Sequence, residues 1–302
     1  MTAVIDLQPE RIEAAVELID PLFRNTPQFV EQRLAAALGR HVVVKVETLN
    51  PIGSFKGRGT SFLARRLDAA TWVCATAGNF GQGLAYAARE RGASVHVFVP
   101  PDAPEGKVER MRALGAEVET HERPDGAARE HAAGEGRLLV VDGLDPAIAE
   151  GAGTIGVELA EAGRIDTAVV QLGDGALITG VARWLKSRAP ESTVIGVCAT
   201  GAPAMARSFA SGRPISDAGT GTIAGTLAIT DPVPESLERI LALVDDVVLV
   251  DDDDLRAATA LIAESLGVLV EPAGAAGVAA LARHPEKVAG ERVAILLTGA
   301  AA

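Results

Sequence analysis

The sequence predicts an α/β protein built from two open parallel sheets with a cleft between them. Short apolar strands alternate with amphipathic helices along the chain, the pattern of sheets covered on both faces. The alternation starts again after a turn-rich stretch at about residues 135–146, from EGR to DGLDP, which marks a boundary between two units. A chain of 302 residues has room for one large domain or two moderate ones.

In the first half, VVVKVE (42–47) reads as a strand, 57–69 as a helix, TWVCAT (71–76) as a strand and 80–91 as a helix. SVHVFVP (94–100) is a strand, 105–114 a helix and AEVETH (116–121) a strand. In the second half the strands are DTAVVQL (166–172), TVIGVCA (193–199), DVVLVD (246–251) and RVAILLT (292–298). Helices fill 152–162, 176–187, 202–209, 253–266 and 272–283. The run DDDD (251–254) reads as the cap of the helix that follows, where carboxylates suit the positive end of the helix dipole. The opening MTAVIDLQPERIEAA reads as the approach to a helix rather than a signal peptide.

Composition excludes some classes of function. The formal charge of −12 disfavours nucleic acid and acidic membrane surfaces as partners. No apolar run is long enough for a membrane span. Cys74 and Cys198 lie far apart in apolar segments and read as buried free thiols of a cytoplasmic protein.

Four segments could carry chemistry. NPIGSFKGRG (50–59) frames one lysine, Lys56, between glycines that let backbone approach closely. An amine in a buried site can lose its proton and act on a carbonyl. The same stretch could equally be a loop opening a helix. ATAGNFGQG (75–83) joins a strand to a helix and offers backbone N–H groups to an anion. Its plainer reading is a capping loop. QLGDGALITG (171–180) makes a second strand-to-helix turn, suited to a phosphate, but without the spacing of either common nucleotide loop. Asp174 is awkward there, because a carboxylate repels phosphate. The fourth is Thr298, which closes an apolar strand in LLTGAA (296–301).

In this order, and with GTIG (153–156) and EPAGA (271–275), these segments resemble the fold-type II enzymes that use pyridoxal 5'-phosphate. The likeness is nearest to the threonine and serine dehydratases and covers nearly the whole chain. It implies the tryptophan-synthase-beta-like architecture, with the cofactor in the cleft. Residues 41–145 would form a small substrate-side domain, and 1–40 plus 146–302 a large cofactor-binding one. Lys56 would hold the cofactor and serve as the catalytic base. Asn79 would meet the cofactor's ring hydroxyl. Gly173, Asp174, Gly175, Ala176 and Leu177 would hold its phosphate, and Thr298 would face its ring nitrogen. Thr76, Ala77, Gly78, Asn79, Phe80 and Gly81 would bind the substrate carboxylate. Glu271 would support the pocket.

The sequence departs from the family at several of these positions. Phe80 stands where the family usually has histidine, and Asp174 and Ala176 stand where it prefers glycine. Ala77 replaces the serine that serves related racemases as an acid–base group, so racemisation is disfavoured. Gly225, in TIAGTLA (222–228), replaces their cation-binding aspartate, so no divalent metal is expected. The chain stops soon after Thr298, so no separate C-terminal regulatory domain is expected.

The resemblance implies a dehydratase, or ammonia-lyase, that takes a small or β-substituted L-hydroxy amino acid to a 2-oxo acid and ammonia. A β- or γ-replacement synthase of the same fold is the alternative, since LNPIGSFKGRG also has the threonine-synthase style. A catalytically inactive partner subunit is a third reading, against which the retained Lys56 argues. A cytoplasmic homodimer is the expected form.

Overall fold

A computed structural model describes residues 6–217 and 221–301. Its strands are β1 (Gln28–Val30), β2 (His41–Val46), β3 (Thr71–Ala75), β4 (Ser94–Val99), β5 (Glu117–Thr120), β6 (Arg137–Leu139), β7 (Thr167–Gln171), β8 (Thr193–Ala199), β9 (Asp246–Val250) and β10 (Arg292–Leu297). They form two sheets, ordered β1-β2-β10-β7-β8-β9 and β5-β4-β3-β6. Every pairing is parallel except β1 with β2. The two-sheet parallel architecture expected from the alternation is therefore present. Strand β2 hydrogen-bonds between β1 and β10, so residues 41–46 belong to the six-stranded sheet rather than to the sheet of the smaller unit.

The helices are α1 (Pro9–Leu18), α2 (Gln32–Leu38), α3 (Lys56–Ala64), α4 (Asn79–Arg91), α5 (Glu105–Ala113), α6 (Pro124–Ala132), α7 (Pro146–Glu161), α8 (Ala176–Arg188), α9 (Ala204–Ser211), α10 (Pro234–Leu243), α11 (Asp252–Leu266) and α12 (Ala276–Arg283). The central strand β7 is buried along its whole length, with Thr167 and Gln171 at its ends donating to backbone carbonyls. Asp251 caps α11 in a capping box with Asp254, as the acidic run predicted.

Some elements escaped the sequence reading. Strand β6 is only three residues long and largely exposed, so it has no apolar run to detect. Helix α6, PDGAAREHA, buries only Ala128. Helix α10 was missed as well, although Pro234 opens it and Leu237, Ile240 and Leu243 recur at threefold spacing on its buried side. DGLDP is in part a helix cap, since the Asp145 carboxylate accepts the Ala147 N–H at 2.8 Å and α7 begins at Pro146. The first four residues of the helix read at 272–283 form a 3-10 turn, Pro272–Ala275.

Glycines set the closest packing. A Cβ on Gly180 would stand 2.0 Å from the Ala149 carbonyl oxygen, and one on Gly153 2.9 Å from that of Gly180. The GTIG segment is thus where α7 and α8 cross with their backbones in contact. Gly59 and Gly151 make the equivalent crossing of α3 on α7, where a Cβ on either would come within 2.6 Å of a carbonyl oxygen. The helix that begins at Lys56 is locked to α7 in this way.

Candidate active site

Lys56 is the first residue of α3. The preceding residues are tied to the end of β10. The Phe55 N–H donates to the Thr298 carbonyl at 3.2 Å, Ser54 bridges Gly299, and Ala300 donates to the Gly53 carbonyl at 2.8 Å. Lys56 and Thr298, 242 positions apart in sequence, are thereby brought to one place. Gly57 admits the Phe23 ring, which would lie 2.1 Å from any Cβ there. The glycines around Lys56 thus serve close packing by Phe23 and α7.

Behind Lys56, Arg58 is fully buried. Its guanidinium donates to Glu47 at 2.8 and 2.9 Å, to Glu158 at 2.6 and 2.9 Å, to Thr154 at 2.9 Å and to Thr26 at 3.1 Å. Lys45 completes the network, donating to Glu158 and to the Thr26 carbonyl. Burial disfavours the Arg58 charge, but Glu47 and Glu158 outweigh that and hold it above its ordinary value. Burial also raises Glu158, and Arg58 with Lys45 more than reverses the effect.

The Lys56 amine pairs with the Asp142 carboxylate. The Phe55 and Phe80 rings flank it, with centroids 5.0 and 5.7 Å away. Asp142 follows β6 and was not singled out from the sequence. Asp174 stands in the turn before α8, where Gly175 adopts φ 98°. Burial first, and then the charge of Asp142, push its carboxyl up to about 7, with Lys56 opposing.

The loop Thr76–Gly81 leads from β3 into α4. The Gly78 N–H donates to the Thr76 hydroxyl at 3.1 Å, while Asn79, Phe80 and Gly81 are buried in the first turn of the helix. The Asn79 amide donates to Glu271 at 2.9 Å and accepts from Gln82 at 3.3 Å. Glu271 also accepts from Thr226 at 3.1 Å and Lys107 at 2.7 Å. Gly299 lies against it, since a Cβ there would come within 2.3 Å of Glu271 Oε1 and 3.0 Å of Asn79 Nδ2. Gly173 abuts the Thr226 carbonyl, which a Cβ would approach to 3.0 Å.

Lys56, the Thr76–Gly81 loop, the Gly173–Leu177 turn, Glu271 and Thr298 are therefore joined through a few shared contacts. Sequence reasoning missed Asp142, Lys107 and Thr226 in this cluster. Two surface grooves, one beside Arg40 and Gly290 and one beside Arg164 and Glu191, share no residue with it. The thiols are not candidate nucleophiles, since burial raises both and carries Cys198 up to about 12. Among the described residues, no helix is long and apolar enough to cross a membrane.

Residues 19–299 match the family model described as pyridoxal-phosphate dependent enzyme. The chain belongs to this family. A phenylserine dehydratase of Ralstonia pickettii is 36% identical over 285 residues, covering 91% of this chain and 87% of the relative. An L-threonine ammonia-lyase of Thermotoga maritima is 33% identical, covering 96% and 74%. The solved structure of maize serine racemase superposes with a TM-score of 0.91 at 29% identity, covering 97% of this chain and 93% of that one. The expected family, fold type and cofactor, and the expectation of a lyase of the dehydratase kind, are borne out.

The site can accommodate the cofactor. Lys56 offers an amine. The Gly173–Leu177 turn offers backbone amides at the start of α8, a helix of 13 residues. Gly299 has no room for a side chain, which lets Glu271 and Asn79 pack against the end of β10.

Proposed function

We propose that the enzyme removes water from a small L-3-hydroxy amino acid with an apolar β-substituent, releasing a 2-oxo acid and ammonia. The observation that carries this reading is the surroundings of Lys56, an amine between the Phe55 and Phe80 rings and beside the Asp142 carboxylate. Apolar rings favour a methyl or aryl group on the β-carbon over a carboxylate. The phenylserine dehydratase among the relatives supports the same preference.

When bound, pyridoxal phosphate supplies the electron sink for the pair left as the α C–H bond breaks. The chain's own residues then divide the work. Lys56 would hold the cofactor and move the α-proton. The N–H groups at the start of α4, with the Thr76 hydroxyl, would bind the substrate carboxylate. The Asn79 amide, one hydrogen of which is committed to Glu271, would offer the other to the ring hydroxyl. The Gly173–Leu177 amides would hold the phosphate. The Thr298 hydroxyl would face the ring nitrogen without forcing a proton onto it, which favours loss of a β-group over a long-lived carbanion. The four-stranded sheet would carry the substrate side and the six-stranded sheet the cofactor side. A cytoplasmic homodimer belongs to the same reading, and light scattering tests the dimer.

The experiment is a substrate panel with ammonia and 2-oxo acid both measured. L-Threonine or L-threo-phenylserine should give the two products in equal amounts, with no added nucleophile and faster than L-threo-3-hydroxyaspartate. Turnover that needs a thiol or a phosphorylated substrate would overturn elimination. Preference for hydroxyaspartate would overturn the apolar pocket.

A further inference from the structure

Two carboxylates stand at the phosphate end of the site, where a loop meant for an anion should have none. Asp174 sits between Gly173 and Gly175, and its carbonyl accepts the Ser236 hydroxyl, which pins the turn to α10. The strand-end loop after β6 packs directly on it. A Cβ on Gly143 would stand 2.8 Å from the Asp174 carbonyl oxygen and 3.2 Å from its Cβ. The residue before Gly143 is Asp142, which spends one oxygen on Lys56 and leaves the other buried without a partner.

The charged groups around Asp174 are Asp142 from that loop, Lys56 from α3 and Asp125 from α6. The nearby cation on α10, Arg239, is committed to Asp6 and to the carbonyls of Gly143 and Leu144. One lysine thus faces two close carboxylates in a largely buried setting. Such a pair relieves its repulsion by taking up a proton.

We propose that Asp174, beside the Lys56–Asp142 pair, holds a proton, and that its neutral carboxyl group donates to the cofactor's phosphate while its ionised form repels it. The proposal rests on the pyridoxal phosphate reading of the site and deepens it. It resolves the conflict of an aspartate in a phosphate turn: below neutrality Asp174 is a donor in the cup, and above it an added negative charge. The upward push on its carboxyl to about 7 places the change near neutrality.

The test compares binding of pyridoxal phosphate and of pyridoxal, which lacks the phosphate, to the full-length chain from pH 7 to 9. The ratio of their dissociation constants isolates the phosphate end, because the lysine chemistry is common to both. The phosphate's own second ionisation, at about 6, lies below this window. In the wild type, relative affinity for the phosphate form should fall by up to about tenfold per pH unit, the slope of one proton. In Asp174→Asn, whose amide donates at every pH, the ratio should stay nearly flat. In Asp142→Asn the fall should begin at lower pH, since the like charge is gone. This second variant decides the matter if Asp174→Asn does not fold. A flat ratio in the wild type, or the wild-type slope in Asp174→Asn, would overturn the proposal. Failure of the wild type to bind either compound at any pH would overturn the cofactor reading itself, and the proposal with it.

Discussion

Lys107 and Glu271 form an ion pair, with the ammonium 2.7 Å from the carboxylate and the side chains only 10% and 12% exposed. Lys107 comes from α5, beside the four-stranded sheet, and Glu271 from the turn before α12, beside the six-stranded one. The same carboxylate accepts from Asn79 and Thr226, so one ion pair also orients an amide of the site. Lys107→Met would leave Glu271 buried with neutral donors alone. The expected loss of stability is roughly 3 kcal/mol, read by chemical denaturation, because removing one partner strands the other charge. Glu271→Gln alongside Lys107→Met should recover part of it, and a double variant no better than the single one would contradict the pairing.

Arg58 predicts a second effect. Its fork satisfies two glutamates and two threonines at once, behind the helix turn that presents Lys56. Arg58→Met should cost about 3–5 kcal/mol by the same buried-charge argument. Arg58→Lys should restore little of it, since a point-like ammonium cannot replace a planar fork. Thermal unfolding of the three proteins side by side checks the order.

The glycine after Arg58 predicts a third. Gly59→Ala would drive a methyl to 2.6 Å from the Ile148 carbonyl oxygen, forcing α3 off α7. A cost of about 1–3 kcal/mol is expected, as for other overpacked contacts. Gly126→Ala is the control, because nothing lies closer than 4.0 Å to its added Cβ. Equal stability of the two variants would mean that the α3–α7 crossing yields freely.

Much of the site was legible because its parts are strand-end turns. Apolar strands announce their ends, and the glycine-rich segments after β3 and β7 stand out against them. Lys56 was legible through its frame, although its glycines turn out to serve Phe23 and α7 rather than the amine directly. Asp142 was hidden because β6, the strand that delivers it, is short and exposed. Lys107 was hidden because EGKVERMRA reads as a solvated charged helix, and it is buried only by a partner 164 positions away. Asp174 was visible as an anomaly, but its neighbour Asp142 emerges only when the loop after β6 folds onto the turn before α8. Local pattern finds elements and turns, whereas pairs made by the docking of two sheets need the fold.

The most direct test of the central claim is to load the protein with pyridoxal phosphate, trap it by hydride reduction and locate the modified residue by peptide mass spectrometry. The account predicts modification at Lys56, abolished in Lys56→Ala together with ammonia release from L-threonine. Modification at Lys45 or Lys107 instead, or ammonia release that survives Lys56→Ala, would contradict it.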